Sequence, residues 1–202
     1  ALLLSGCTLT EQAGAAATVD GQRMTITEVK TQYDHVVEAL GTGSTQYTAA
    51  DTNRQIVGSW IFGLIIAKAG AENGISVTDA EVKAKYDDLV AQSGGKAALE
   101  QAAASSLIAP ETINPTLKMS LTFDALVAKF RDPAAAATDT AADDAAKQEA
   151  SKAIAKAYME MSISVAPRFG VWDPTNLNVA AFPGSDIVLT ADQLASIAAA
   201  KQ

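Results

Sequence analysis

The stretch from Gln55 to Ala67, Gln-Ile-Val-Gly-Ser-Trp-Ile-Phe-Gly-Leu-Ile-Ile-Ala, is the longest apolar run in the chain and its only concentration of large hydrophobic side chains. Whatever the chain folds into must pack around it. Arg54 and Lys68 bracket the run, so its uncharged span falls short of the ~20 residues a helix needs to cross hydrocarbon. It therefore reads as the central buried helix of a globular body.

Composition says what kind of body. Of the 202 residues 49% are hydrophobic, but aromatics make up only 5% and much of the rest is alanine, the best helix former and a poor strand former. The expectation is a mainly α fold with a small large-residue core. The net charge of −8 argues against nucleic acid as a partner, whose footprint would be a basic stripe. It argues equally against electrostatic docking on an anionic bilayer. With one cysteine, Cys7, and one histidine, His35, no internal disulfide and no cysteine-built metal site is available.

Local signals divide the chain. Asp20-Gly21 between Val19 and Met24 marks a two-residue hairpin, because both turn positions need positive φ. Thr25-x-x-Glu28 is a capping box opening a helix that Gly41 stops, with Val29, Tyr33, Val36, Val37 and Leu40 at helical spacing and His35 at the edge of that stripe. After a loop over 41–47, the central helix is expected from near Thr48, with Asp51 in its first turn, to Asn73-Gly74. Gly58 and Gly63 within it predict close approach of a neighbouring helix. Thr78-x-x-Glu81 caps a further amphipathic helix to Gly94-Gly95 and Lys96 to Ser106 a short one; Asn114-Pro115 reads as N-cap and first residue of the next. Arg131 to Thr140 reads as a linker or hinge, and Ala141 to Met161 as an alanine-rich helix. Ile163 and Val165, then Leu177, Val179 and Ala181, alternate as strands do. A turn at Pro183-Gly184 and a short terminal helix capped by Thr190 complete the chain. The result is a helical body with a small β unit formed by the N- and C-terminal segments.

Residues 1–6 read as the end of a signal peptide, and Leu4-Ser5-Gly6-Cys7 resembles a bacterial lipobox, in which the Cys7 thiol takes a diacylglycerol. Residues 7–16 would then be a flexible lipid-anchored tether, and two or more acyl chains suffice for stable anchoring. Catalytic patterns are missing: there is no Gly-x-Ser-x-Gly elbow, His-x-x-x-His pair, phosphate loop or calcium loop. The adjacent pairs Asp87-Asp88 and Asp143-Asp144 diverge by about 100° on a helix and suit solvated charge, not paired acid and base work. The expectation is a protein that is not an enzyme and carries no cofactor beyond the acyl groups on Cys7.

Three segments carry a family resemblance: Ala17-Thr-Val-Asp-Gly-Gln-Arg-Met-Thr25, the apolar helix followed by Gly74-Ile-Ser-Val-Thr-Asp-Ala-Glu-Val82, and Val165-Ala-Pro-Arg-Phe-Gly-Val-Trp-Asp173. In their order the chain resembles the SurA N-terminal-like family of extracytoplasmic chaperones, related to the PrsA lipoproteins and the chaperone part of trigger factor. The last segment is similar to the V-N-P-R-[FY]-G-x-[WF]-D segment of lipoprotein members, with Ala166 in place of Asn. The resemblance covers residues 17–175, leaves 176–202 as a strand and short-helix extension, and lacks any stretch matching a parvulin isomerase domain.

It implies a SurA-N-like helical bundle acting as an ATP-independent holdase without isomerase activity, on the outer face of the bacterial cytoplasmic membrane. Its partners would be unfolded or nascent secreted proteins and, through the lipid anchor, the membrane. Tyr33, Val36, Phe62, Met119 and Phe123 are the expected client-binding residues, although helical spacing alone would bury Phe62 and Phe123 in a core with Trp60 and Phe130. The competing expectation is an accessory lipoprotein subunit docked on one membrane protein complex through Arg168–Pro174.

Overall fold

The computed structural model describes residues 14–41 and 47–181. The chain opens with strands β1 (Ala15–Val19) and β2 (Gln22–Thr25), joined at Asp20 and Gly21, whose φ angles of 48° and 81° make the tight turn their sequence predicts. Ala15 and Ala16, which the sequence reading left in the tether, are instead the buried start of β1. Their small side chains let the strand lie directly against the helical layer. Strand β3 (Ile163–Val165) pairs with the other edge of β1, giving an antiparallel sheet in the order β2-β1-β3. Asp20 locks this closure: its backbone N–H donates to the Ser162 carbonyl (3.1 Å) and its carboxylate accepts from the Ser162 N–H (2.8 Å).

Among the described residues, six α-helices lie between these strands. Helix α1 (Ile26–Leu40) starts on the Thr25/Glu28 capping box and stops at Gly41. Helix α2 (Ala49–Glu72) starts on a complete Thr48/Asp51 box and ends at Asn73, followed by Gly74 at φ 70°. Helix α3 (Asp79–Ser93) uses the Thr78/Glu81 box and a left-handed Gly94, and α4 (Lys96–Ser105) follows at once. Helix α5 (Ile113–Phe130) begins earlier than its proline suggested: a 3-10 turn over Pro110–Thr112 leads directly into it, so Asn114 and Pro115 lie inside its first turn and Thr112 takes the cap position. Helix α6 (Thr140–Met159) is capped by Asp139, whose carboxylate accepts from the N–H groups of Ala141 and Ala142.

Helix α2 is the axis of the fold. Val57, Ile61 and Ile65 are fully buried and Ile66 nearly so, packed with Val19, Val29, Leu126 and Ile154 from the sheet, α1, α5 and α6. Each such aliphatic side chain contributes about 1.5–3 kcal/mol on burial. A satellite core of Val36, Ala104, Leu107 and Ala109 joins α1 to α4.

The two glycines expected to seat a neighbouring helix do something else. Gly58 lies against Val179, its missing Cβ 3.4 Å from that residue's backbone nitrogen, and so admits a strand. A Cβ at Gly63 would meet nothing within 4 Å. The close helix contact falls on Gly70 instead, opposite Thr122 of α5.

Residues 131–140 are tied down. The Arg131 Nε donates to Asp143 (2.5 Å), and the same guanidinium reaches the carbonyls of Ala135 (3.4 Å) and Ala136 (2.5 Å). Beyond β3, a 3-10 turn over Pro167–Phe169 buries the Phe169 ring beneath the Arg168 guanidinium, 5.3 Å from the ring centroid. Strands β4 (Val171–Asp173) and β5 (Asn178–Ala180) then form a hairpin that docks on α2 through Val179. The domain boundary expected at residue 175 therefore falls inside the turn of this hairpin, and β5 belongs to the same packed body. Trp172 faces the Tyr158 ring (centroids 6.2 Å apart), and its buried indole N–H finds no acceptor among the described residues. The turn at Pro183-Gly184 and the terminal helix from Thr190 lie outside the described residues.

Candidate functional site

Because α2 is apolar almost all round between Ile56 and Ala67, burying one face in the core leaves a second apolar face to be accounted for. Trp60, Gly63, Leu64 and Ala67, spaced i, i+3, i+4 and i+7, form that face and line one wall of a cleft of about 530 Å3. The opposite wall is the first half of α5, with Pro115, Met119 and Thr122 one turn apart from one another. Ile75 and Val77 from the α2–α3 connection close one end, and Leu107 and Ile108 from the segment after α4 close the other. Gly63 sets the depth, since its absent side chain leaves space that no other group enters.

Leu107 is held at the cleft by an unusual backbone. Its φ is 61°, a left-handed position that a branched side chain rarely takes, at the end of α4, where glycine is usual. Its N–H donates to the Ala104 carbonyl (2.9 Å) and the next N–H, of Ile108, to the Ala103 carbonyl (3.0 Å), so the helix end closes normally around it. Burial of the leucine side chain offsets the backbone cost.

Three polar side chains of this cleft are engaged within the chain, while Gln32, Ser76 and Thr116 also line it. The Thr122 hydroxyl donates to the Lys118 carbonyl (2.7 Å) and that of Thr112 to the Ala109 carbonyl (2.8 Å). The Ser59 hydroxyl accepts from the Gln55 side chain (3.1 Å). Lys118 is the one charged side chain among the described lining residues; its ammonium lies 3.3 Å from Asp79, a carboxylate whose side chain is 98% exposed.

The five expected client-binding residues are not brought together. Met119 lines the cleft. Phe62 points to a separate cleft of about 330 Å3 beside Arg54, Gly58 and Val179. Tyr33 and Phe123 are half-buried against the main core. Val36 is 1% exposed in the satellite core beneath α4, so it is a packing residue and is not open to a client. Trp60, Leu64 and Ile75, three large apolar side chains of the cleft wall, were missed, because periodicity marks α2 as apolar without saying which face its neighbours leave uncovered. Leu107 had no sequence signal at all.

Cys7 lies outside the described residues. His35 is not a core-edge residue: it is exposed, with Nδ1 2.9 Å from the Glu111 carboxylate across 76 positions of sequence, and it joins α1 to the 3-10 turn before α5. Three helix-capping carboxylates sit below their ordinary range. The Thr25 backbone N–H, ahead of its hydroxyl, lowers Glu28, the Thr48 hydroxyl, ahead of its N–H, lowers Asp51, and the Thr78 N–H, ahead of its hydroxyl, lowers Glu81.

Among the described residues no group of three or more His, Cys, Asp or Glu side chains is placed to hold a metal ion, and no helix is long and apolar enough to cross a membrane. Comparisons with protein families, with curated proteins and with solved structures found no match.

Proposed function

We propose that the protein is an ATP-independent holdase, without prolyl isomerase or other enzymatic activity, tethered through a lipid on Cys7 to the outer face of the bacterial cytoplasmic membrane. The observation that supports this reading best is the apolar cleft along α2, walled by Trp60, Leu64, Ile75 and Met119. Exposed apolar segments of secreted or envelope proteins would bury side chains there at about 25 cal/mol per Å2 of apolar surface. Met119 and Trp60 suit such a role: a thioether adapts to varied shapes, and a large ring offers area at low conformational cost. The order of sequence segments, which resembles that of SurA-like chaperones, points the same way.

The test is light scattering of an unfolded, aggregation-prone protein diluted into buffer with the domain at near-stoichiometric ratio. The wild-type domain is expected to suppress aggregation, and Gly63→Leu, whose Cβ has no described atom within 4 Å and whose longer side chain projects into the cleft, to lose most of that effect. No suppression by the wild type would sink the proposal. The competing reading, an accessory subunit of one membrane complex, draws on the β4–β5 hairpin, where Val171 stays 39% exposed. Crosslinking in native membranes separates the two: one stoichiometric partner favours the subunit, many substoichiometric ones the holdase.

A further inference from the structure

We propose that the cleft along α2 is also a ligand site for an anionic single-chain amphiphile, its hydrocarbon chain lying on the Trp60–Gly63–Leu64–Ala67 stripe and its carboxylate or phosphate headgroup paired with Lys118. Three observations converge on this class.

The first is charge. In a chain of net charge −8, the described lining residues of the cleft include no acidic side chain and one basic one, Lys118. The Lys118 ammonium is half-exposed at the rim, and its partner Asp79 is almost fully solvated at 3.3 Å, a surface pair of little strength that an incoming anion can displace.

The second is polar satisfaction. The two long walls, α2 and α5, are helices whose own backbone groups are bonded internally, and among the described residues no strand lines the cleft. The hydroxyl protons of Thr112 and Thr122 are already donated to backbone carbonyls. A hydrocarbon chain asks for no hydrogen bonds, and the cleft has few to offer along the α2 stripe.

The third is size: about 530 Å3 lies within the roughly 300–1,000 Å3 typical of small-molecule sites. This inference does not rest on the holdase reading, because it concerns a small ligand and is read without a client protein.

The experiment titrates sodium laurate, dodecanol and dodecylamine, each below its micelle concentration, into the domain carrying Trp172→Phe, so that Trp60 is the only fluorophore of its kind. Laurate is expected to shift Trp60 emission saturably at one molecule per chain, with an unchanged far-ultraviolet circular dichroism spectrum, and to bind more tightly than the alcohol or the amine. Lys118→Glu is expected to weaken laurate by roughly tenfold, the size of one charge-assisted hydrogen bond, and to leave dodecanol unchanged. Gly63→Leu is expected to abolish the shift for all three ligands. An absent or unsaturable response to laurate, dodecylamine binding as tightly as laurate, or a Lys118→Glu variant that keeps full laurate affinity would each overturn the proposal. Should laurate fail while the domain still suppresses client aggregation, the ligand site falls and the holdase stands.

Discussion

Gly70 of α2 faces Thr122 of α5 so closely that a Cβ built on the glycine would lie 2.5 Å from the Thr122 Cγ2 methyl. The contact sits where α2 and α5 converge at one end of the cleft, and the two helices hold the cleft open further along, at Gly63. Two glycines in one helix thus have opposite roles, one permitting contact and one leaving space.

Gly70→Ala is expected to destabilise the protein by about 1–3 kcal/mol, because overpacking outweighs the ~1 kcal/mol gained in helix propensity. Gly63→Ala, with open space around it, is expected to stabilise by about 0.5–1 kcal/mol. Thr122→Ser removes the obstructing methyl while keeping the hydroxyl bond to Lys118, and should recover most of the loss in the Gly70→Ala background. Urea denaturation of the four proteins measures all three effects.

Val36 and Met119 should separate stability from binding. Val36→Ala is expected to cost roughly 1–3 kcal/mol by opening the satellite core and to leave aggregation suppression unchanged at temperatures where the variant is folded. Met119→Ala is expected to reduce suppression with a smaller stability change, since Met119 is only half-buried on the cleft wall. Thermal melts paired with the scattering assay check both.

The three capping carboxylates should make the fold acid-sensitive. Glu28, Asp51 and Glu81 are lower in the folded chain than in the unfolded one, so their contribution is complete above the ordinary carboxylate range, near pH 4. It is lost as pH falls through the lowered folded values, where the unfolded state takes up protons first. The melting temperature should therefore drop below about pH 4. The combined variant Glu28→Gln, Asp51→Asn and Glu81→Gln should show a shallower drop over that window, measured by thermal melts at stepped pH.

Arg131 should govern access to the segment before α6. Removing its bonds to Asp143 and to the carbonyls of Ala135 and Ala136 is expected to make residues 132–139 several-fold more susceptible to protease, while the melting temperature moves little. Limited proteolysis with mass spectrometry of the fragments tests this; an unchanged cleavage rate would show that the contacts do not hold the segment.

What the sequence alone determined is local. The capping boxes at Thr25 and Thr78, the start of α2 at Thr48, the Asp20-Gly21 turn and the glycines after α1 and α3 appear where residue types predicted them, because each depends on groups a few positions apart. The mainly helical body and the small antiparallel sheet from both terminal segments followed from that punctuation and from hydrophobic period. The start of α5 was misread because Pro115 is tolerated within a first turn as readily as at its opening.

Tertiary structure decided what depends on partners distant in sequence: Glu111 beside His35, Val179 beside Gly58, Thr122 beside Gly70, and Val36 sealed under α4. The site belongs to this second group. An apolar helix declares that its surface leaves water, but only the placement of α5, of Leu107 and of the α2–α3 connection decides that one face enters the core and the other lines a cleft.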